Sequence, residues 1–149
     1  MRLKNILLAV TVALSLVLLS ACKPEAAPIS IEKGWVRAAP PGAMASAGYF
    51  EIVNRSDATI EITRVTADQF ARVEIHETSM VDGQMKMRPV AALRIEPGQG
   101  LSLAPGGKHL MLFEPAEMPE DSDVTITLYD GDRPIAELDV PIARSNPYE

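Results

Sequence analysis

Short stretches with apolar residues at alternating positions dominate this chain from about residue 31 onward, and they constrain its fold more than any other feature. Glycine, proline, asparagine and aspartate separate these stretches, which is typical of strands joined by turns. No long segment repeats its apolar residues at helical spacing, and the only helical turn we expect lies around Ala67–Ala71. The candidate strands are Ile31–Arg37, Ala47–Val53, Ile60–Thr66, Val73–Thr78, Met85–Val90, Gly100–Leu103, His109–Phe113, Val124–Tyr129 and Ile135–Val140.

Eight or nine short strands at this spacing predict an all-β fold, an antiparallel sandwich or barrel with Greek-key topology. One domain of this length can form a hydrophobic core without disulfide bonds. We place that domain at residues 31–143 and treat residues 144–149 as a short C-terminal tail.

The first 21 residues have the features of a signal peptide. Arg2 and Lys4 precede an uncharged apolar run from Ile6 to Leu19, and small residues follow it. The run is shorter than the roughly 20 residues that a membrane-spanning helix needs. We therefore expect residues 1–21 to be removed on export.

The segment Leu19–Cys22 resembles the lipobox of bacterial lipoproteins, in which the cysteine becomes the first mature residue and carries the lipid. Cys22 is the only cysteine of the chain, and lipidation would explain both its position and its lack of a disulfide partner. The alternative is cleavage nearby, which would leave Cys22 as a free thiol. Residues 22–30 are then the lipidated cysteine and a flexible tether.

The charge balance argues against a nucleic-acid partner. Without residues 1–21 the chain keeps 12 basic and 20 acidic residues, a net charge of −8. Nucleic-acid binding requires a basic face, which this composition does not offer. The acidic surplus favours solubility instead.

Both histidines of the chain lie near methionines in predicted strands. Residues two apart on a strand share a face, so His109 and Met111 point the same way. Leu110 and Leu112 can then supply the buried face of that strand. His76 comes near the end of its own strand, where alternation places it outside the apolar core.

Met85 and Met87 also share a face, because they alternate with charged residues on their strand. Either of them can therefore provide a third ligand beside the pair His109 and Met111. Methionine commonly fills gaps in hydrophobic cores, and we assign Met44 and Met80 to that role. Met118 lies in a loop and has no evident task.

Imidazole binds copper, and the soft, neutral thioether of methionine selects Cu(I) over zinc, calcium or magnesium. Ligands without negative charge disfavour the dication and are readily displaced, which suits delivery. A blue-copper electron carrier needs a cysteine thiolate, and Cys22 lies outside the predicted domain. A thiol–disulfide protein needs a cysteine pair, which the chain lacks. No nucleophile arrangement with a histidine base can be placed, so we do not expect an enzyme.

Four of these residues are spaced as His76, ten residues, Met87, twenty-one residues, and then His109-x-Met111. This spacing matches the H-x10-M-x21-H-x-M motif of the periplasmic copper chaperone family PCu(A)C, and the chain resembles that family over nearly all of its mature length. The segments that are similar are Gly34–Asn54, Val73–Thr78 and Leu103–Phe113.

The resemblance implies a cupredoxin-like β-sandwich that binds one Cu(I) per chain through His76, Met87, His109 and Met111. It also implies delivery of copper to the binuclear centre of cytochrome c oxidase, or to related periplasmic targets such as thiol-containing copper assembly proteins. We expect a monomer on the periplasmic side of a bacterial membrane, anchored through Cys22. The alternatives are a periplasmic storage or resistance protein and a structural β-sandwich without metal.

Two departures from the family pattern matter. Many members place methionine directly after the first histidine, where this chain has Glu77. Some members carry a C-terminal extension rich in His and Met that takes a second copper, whereas this sequence ends with Ala143–Glu149. We therefore expect a single copper site.

Overall fold

The structure is a computed structural model that describes residues 28–116 and 122–149. The predicted signal peptide, Cys22 and Met118 lie outside the described residues. The strands are β1 (Ile29–Arg37), β2 (Ala45–Asn54), β3 (Ile60–Ile62), β4 (Arg64–Ala67), β5 (Phe70–Val81), β6 (Gln84–Pro89), β7 (Leu93–Ile95), β8 (Gly100–Leu103), β9 (Lys108–Pro115), β10 (Asp123–Asp130) and β11 (Arg133–Ala143).

Every predicted strand has a counterpart, but the expected helical turn at Ala67–Ala71 is wrong. β4 ends at Ala67 and β5 begins at Phe70, so a two-residue turn connects them. Two residues reverse the chain between strands but are too few to form a helical turn with its backbone hydrogen bonds.

The part of the chain that the structure describes contains no helix with the length and apolar character needed to span a membrane.

The predicted all-β sandwich is confirmed, with one exception to its antiparallel character. One sheet runs in the order β4-β10-β11-β1-β2-β9-β5-β6, with β8 also paired to β2, and β3 and β7 form a small second sheet. The exception is the pairing of β1 with β11, which is parallel. These two strands are far apart in sequence, so no short hairpin forces them to run in opposite directions.

The predicted strand Ile60–Thr66 is divided between the two sheets. β3 pairs with β7, whereas β4 pairs with β10, and Thr63 lies between them. The backbone nitrogen of Thr63 donates to the carbonyl oxygen of Tyr129 at 2.9 Å, which keeps the crossing point hydrogen-bonded. The buried side chain of Asn54 donates to the carbonyl oxygen of Ile95 at 2.9 Å and so joins β2 to the small sheet.

The hydrophobic core contains the alternate residues of the strands, as the sequence pattern predicts. Leu110 and Leu112 of β9 are completely buried, and so are Ile126 and Leu128 of β10. Because these leucines occupy one face of β9, His109 and Met111 occupy the other. The core therefore fixes the face on which the candidate ligands lie.

Candidate metal centre

The two histidines lie directly opposite each other on adjacent strands. In the β5–β9 ladder His76 pairs with His109, and Glu74 pairs with Met111 in the next row of the same face. The ring centroids of the two histidines are 6.1 Å apart. The predicted strand Val73–Thr78 had His76 near its end, whereas β5 continues to Val81 and places His76 within a paired strand.

Met87 reaches the same face from the other side of β5. It pairs with Thr78, which is two residues from His76 and therefore shares its face. Met87 and His76 are thus diagonal neighbours across two strands, a separation of roughly 7–8 Å that a long side chain can span. The four predicted ligands accordingly lie on one face of the three adjacent strands β6, β5 and β9.

His109 is buried, and its ring orientation is fixed by the backbone. Its Nδ1 lies 3.0 Å from the carbonyl oxygen of Gly107. A carbonyl oxygen can only accept, so Nδ1 carries the proton and donates, and in the neutral ring Nε2 holds the free lone pair. That nitrogen is the one that could bind a metal ion.

His76 is oriented by an acidic side chain on its own strand. Its Nε2 lies 2.8 Å from Oε2 of Glu74, and the other oxygen of Glu74 is ion-paired with Arg72. Because a carboxylate accepts, Nε2–H donates and Nδ1 holds the lone pair. Nδ1 is buried and has no hydrogen-bond partner among the described residues. A buried nitrogen of this kind fits a metal ligand whose other nitrogen is held by a carboxylate.

The pKa of His76 favours the neutral ring that a metal ion requires. Burial of the ring lowers its pKa below 6.5, and the positive charge of Arg72 lowers it further. A protonated imidazole has no lone pair for a metal. At neutral pH the ring is therefore in its binding form without a proton having to leave first.

Aromatic rings flank the histidine pair on the same face. The Tyr49 ring lies 6.4 Å from that of His109, and the Phe113 ring lies 6.4 Å from that of His76. Trp35 continues the row at 4.8 Å from Tyr49. Such rings limit the access of water to the imidazoles and lower the local dielectric around a bound ion.

The methionines differ widely in exposure, and two of our assignments are wrong. Met44 and Met80, which we expected to fill gaps in the core, are 71% and 66% exposed. Met85 is 65% and Met87 50% exposed, whereas Met111 is half-buried beside His109. Met80 lies close to the tight turn of the β5–β6 hairpin. This end of the hairpin extends beyond the part of the sheet that covers the core, so the Met80 side chain is exposed.

Glu77, which the sequence comparison with the family pattern singled out, faces away from the histidines. It is adjacent to His76 on β5 and therefore points to the opposite face. Its Oε1 accepts from Nζ of Lys108 at 2.6 Å, and this hydrogen bond, with the charge of Lys108, lowers the pKa of the carboxyl. Glu77 and Lys108 thus form an ion pair outside the candidate site.

Sequence reasoning missed Glu74 and the aromatic residues around the histidines. Glu74 is two residues before His76, so strand alternation already places both on one face. Tyr49 could not be found in this way, because its position beside His109 depends on the pairing of β2 with β9.

The described residues contain no group of three or more His, Cys, Asp or Glu that could hold a metal ion.

Comparison with protein families gives a match to the family described as "Putative lipoprotein LpqE-like" over residues 29–142. "Putative lipoprotein Lxx21020" of Leifsonia xyli subsp. xyli is 31% identical over 107 residues, which are 69% of this chain. "Uncharacterized protein RP573" of Rickettsia prowazekii is 28% identical over 105 residues. The matches span 63% and 58% of the length of these two relatives.

Solved structures share the fold. The copper-bound PCuAC domain from PmoF2 superposes with a TM-score of 0.64 at 24% identity, covering 79% of this chain and 94% of that domain. Apo-DR1885 from Deinococcus radiodurans gives a TM-score of 0.61 at 24% identity, covering 85% and 87%. The chain therefore belongs to the LpqE-like family and has the fold of PCuAC domains.

Proposed function

We propose that this protein is a Cu(I)-binding metallochaperone, a carrier rather than an enzyme. The observation that carries the proposal is the placement of His76, Met87, His109 and Met111 on one face of three adjacent strands. On each histidine one ring nitrogen donates a hydrogen bond, so in the neutral ring the other nitrogen is unprotonated. Two imidazoles and two thioethers add no negative charge, so they favour Cu(I) over Cu(II). The copper-bound domain of PmoF2 and the CuI form of DR1885, which share the fold, support this choice of metal.

The proposed ligands also suit release of the ion. Met87 is half exposed, so a recipient's ligand can approach the metal from that side and displace its thioether first. The less exposed ligands, His76, His109 and Met111, would then dissociate from the ion one after another. We propose recipients with thiolate or thioether ligands, among them the binuclear copper centre of cytochrome c oxidase and copper assembly proteins with thiols.

A competition titration with a Cu(I) chelator tests this function. The mature domain should bind one Cu(I) with sub-micromolar or tighter affinity, and the double variant His109→Ala/Met111→Ala should lose at least about 100-fold, since two of four ligands are gone. Met44→Ala removes an exposed thioether that lies outside β5, β6 and β9, just before β2, and serves as the control. Unchanged affinity in the double variant would contradict the proposed site.

The same titration resolves the choice between Met87 and Met85. We propose Met87 as ligand because it is the diagonal neighbour of His76, whereas Met85 lies one row further along the hairpin. Met87→Leu should therefore weaken the tight site, while Met85→Leu should leave its affinity unchanged. Transfer of the bound ion to an acceptor domain with a thiol pair distinguishes delivery from storage.

We further propose that Cys22 anchors the mature protein to a membrane on the periplasmic side. The lipobox-like segment Leu19–Cys22 and the name of the matching family support this anchor. Expressed with its first 21 residues in a bacterial host, the wild-type protein should partition into the detergent phase. Cys22→Ser should move it to the aqueous phase, and an unchanged partition would argue against lipidation.

A further inference from the structure

Three methionines are exposed on a single hairpin, beside the candidate metal centre. Among the described residues the exposed large hydrophobic side chains are Met44, Met80, Met85, Met87 and Tyr148. Met80, Met85 and Met87 all belong to the β5–β6 hairpin. Burial of apolar surface is favourable, so large side chains that stay in water need another reason.

The register of the hairpin places two of these thioethers side by side. Met80 pairs directly with Met85, and the turn at Asp82 and Gly83, with φ of 52° and 76°, fixes this pairing. Left-handed conformations at both central residues match the twist of a two-residue hairpin turn, so the register cannot slip easily. Directly paired side chains have Cβ atoms about 4.5–5.5 Å apart, which lets two flexible thioethers meet on one ion.

The pair is continuous with the candidate metal centre. Met80, Thr78 and His76 alternate along β5, and Met85 and Met87 are two apart on β6, so all of them share the face of the histidines. The intervening basic residues of β6, Lys86 and Arg88, point to the opposite face. The side chains named on this face, from Met80 and Met85 near the end of the hairpin to His76, are therefore all uncharged at neutral pH.

We propose that Met80 and Met85 form a second, weaker Cu(I) site, which exchanges the ion with the four-ligand site by way of Met87. The inference rests on the proposed copper function, and it adds to the single site that the sequence predicts. Two neutral thioethers select Cu(I) but hold it with fewer ligands than the histidine site. An apolar docking surface would be served equally well by leucine or isoleucine, whereas every exposed large aliphatic side chain of the hairpin carries sulfur.

The test is an anaerobic titration of the mature domain with Cu(I) and ascorbate, followed by NMR of methionine methyl groups labelled with carbon-13. The first equivalent should shift the methyl signals of Met87 and Met111. The second should shift those of Met80 and Met85. The variant Met80→Leu/Met85→Leu keeps the side-chain volume and should bind only the first equivalent, with an affinity within about twofold of wild type.

Met44→Leu is the matched control, because Met44 is at least as exposed but lies outside the hairpin. It should keep both equivalents. Signals of Met80 and Met85 that do not move at two equivalents, or a second equivalent retained by the double leucine variant, would overturn the inference. If copper shifted only the methyl signals of Met80 and Met85 and left those of Met87 and Met111 unmoved, the hairpin site would stand and the proposed four-ligand site would fail.

Discussion

Glu74 gives the most informative single substitution, because it contacts a proposed ligand without being one. Its carboxylate accepts from Nε2 of His76 at 2.8 Å and thereby directs the bare Nδ1. In Glu74→Ala the ring loses this acceptor and is free to turn or to change tautomer. Removing such a partner of a ligating histidine typically weakens metal binding 10- to 100-fold, or by about 1.4–2.7 kcal/mol.

The substitution Glu74→Gln should give a smaller loss. The amide oxygen can still accept from Nε2–H, but a neutral acceptor makes a hydrogen bond roughly half as strong as a carboxylate does. We expect the Cu(I) affinity of Glu74→Gln to lie between those of wild type and Glu74→Ala. Competition with a Cu(I) chelator at fixed pH measures all three, and nitrogen-15 NMR of the metal-free imidazoles reports the tautomer independently.

Glu77→Ala is the matched control for this series. It also removes a carboxylate next to His76, but from the opposite face of β5, where Glu77 pairs with Lys108. Its Cu(I) affinity should stay within about twofold of wild type, since exposed ion pairs contribute little. Equal effects of Glu74→Ala and Glu77→Ala would contradict the positioning role of Glu74, because the loss of any negative charge near His76 would then be sufficient.

Four further predictions concern acidity and packing. The NMR titration midpoint of His76 in the metal-free protein should lie below 6.5 and should rise in Arg72→Gln, since that variant removes a positive charge beside the ring. Because the folded state resists protonation of His76, the unfolded chain binds more protons below pH 6.5, and the free energy of unfolding should fall as the pH drops through the folded pKa. Leu110→Ala should lower the free energy of unfolding by about 2–5 kcal/mol in urea denaturation, since Leu110 is completely buried. Gly34→Ala should lower it by about 1–3 kcal/mol, because the new Cβ would lie 2.5 Å from Cγ1 of the buried Val140.

Local alternation predicted the parts of the fold that depend on one strand at a time. It placed Leu110 and Leu112 in the core and His109 on the other face, and the structure confirms both. Alternation did not predict the short strand Leu93–Ile95, because three residues show too little alternation to be recognised. Alternation did not predict the parallel pairing of β1 with β11 either, since this pairing joins opposite ends of the domain.

In the candidate site, too, the sequence predicted what depends on a single strand but not what depends on the pairing of strands. The shared face of His109 and Met111 follows from their spacing alone, whereas the choice of Met87 came from the family motif. That His76 pairs with His109, and that Met80 pairs with Met85, depends on strand register. Register is set by the turn and by packing between strands, which a single strand's pattern does not contain.

X-ray absorption spectroscopy of the mature domain with one equivalent of Cu(I) identifies the ligands of the bound ion. We predict a spectrum typical of Cu(I) with two nitrogen and two sulfur ligands, from His76, His109, Met87 and Met111. His109→Ala should remove one nitrogen and Met87→Leu one sulfur. A shell of nitrogen and oxygen without sulfur, or a shell that neither variant changes, would contradict it.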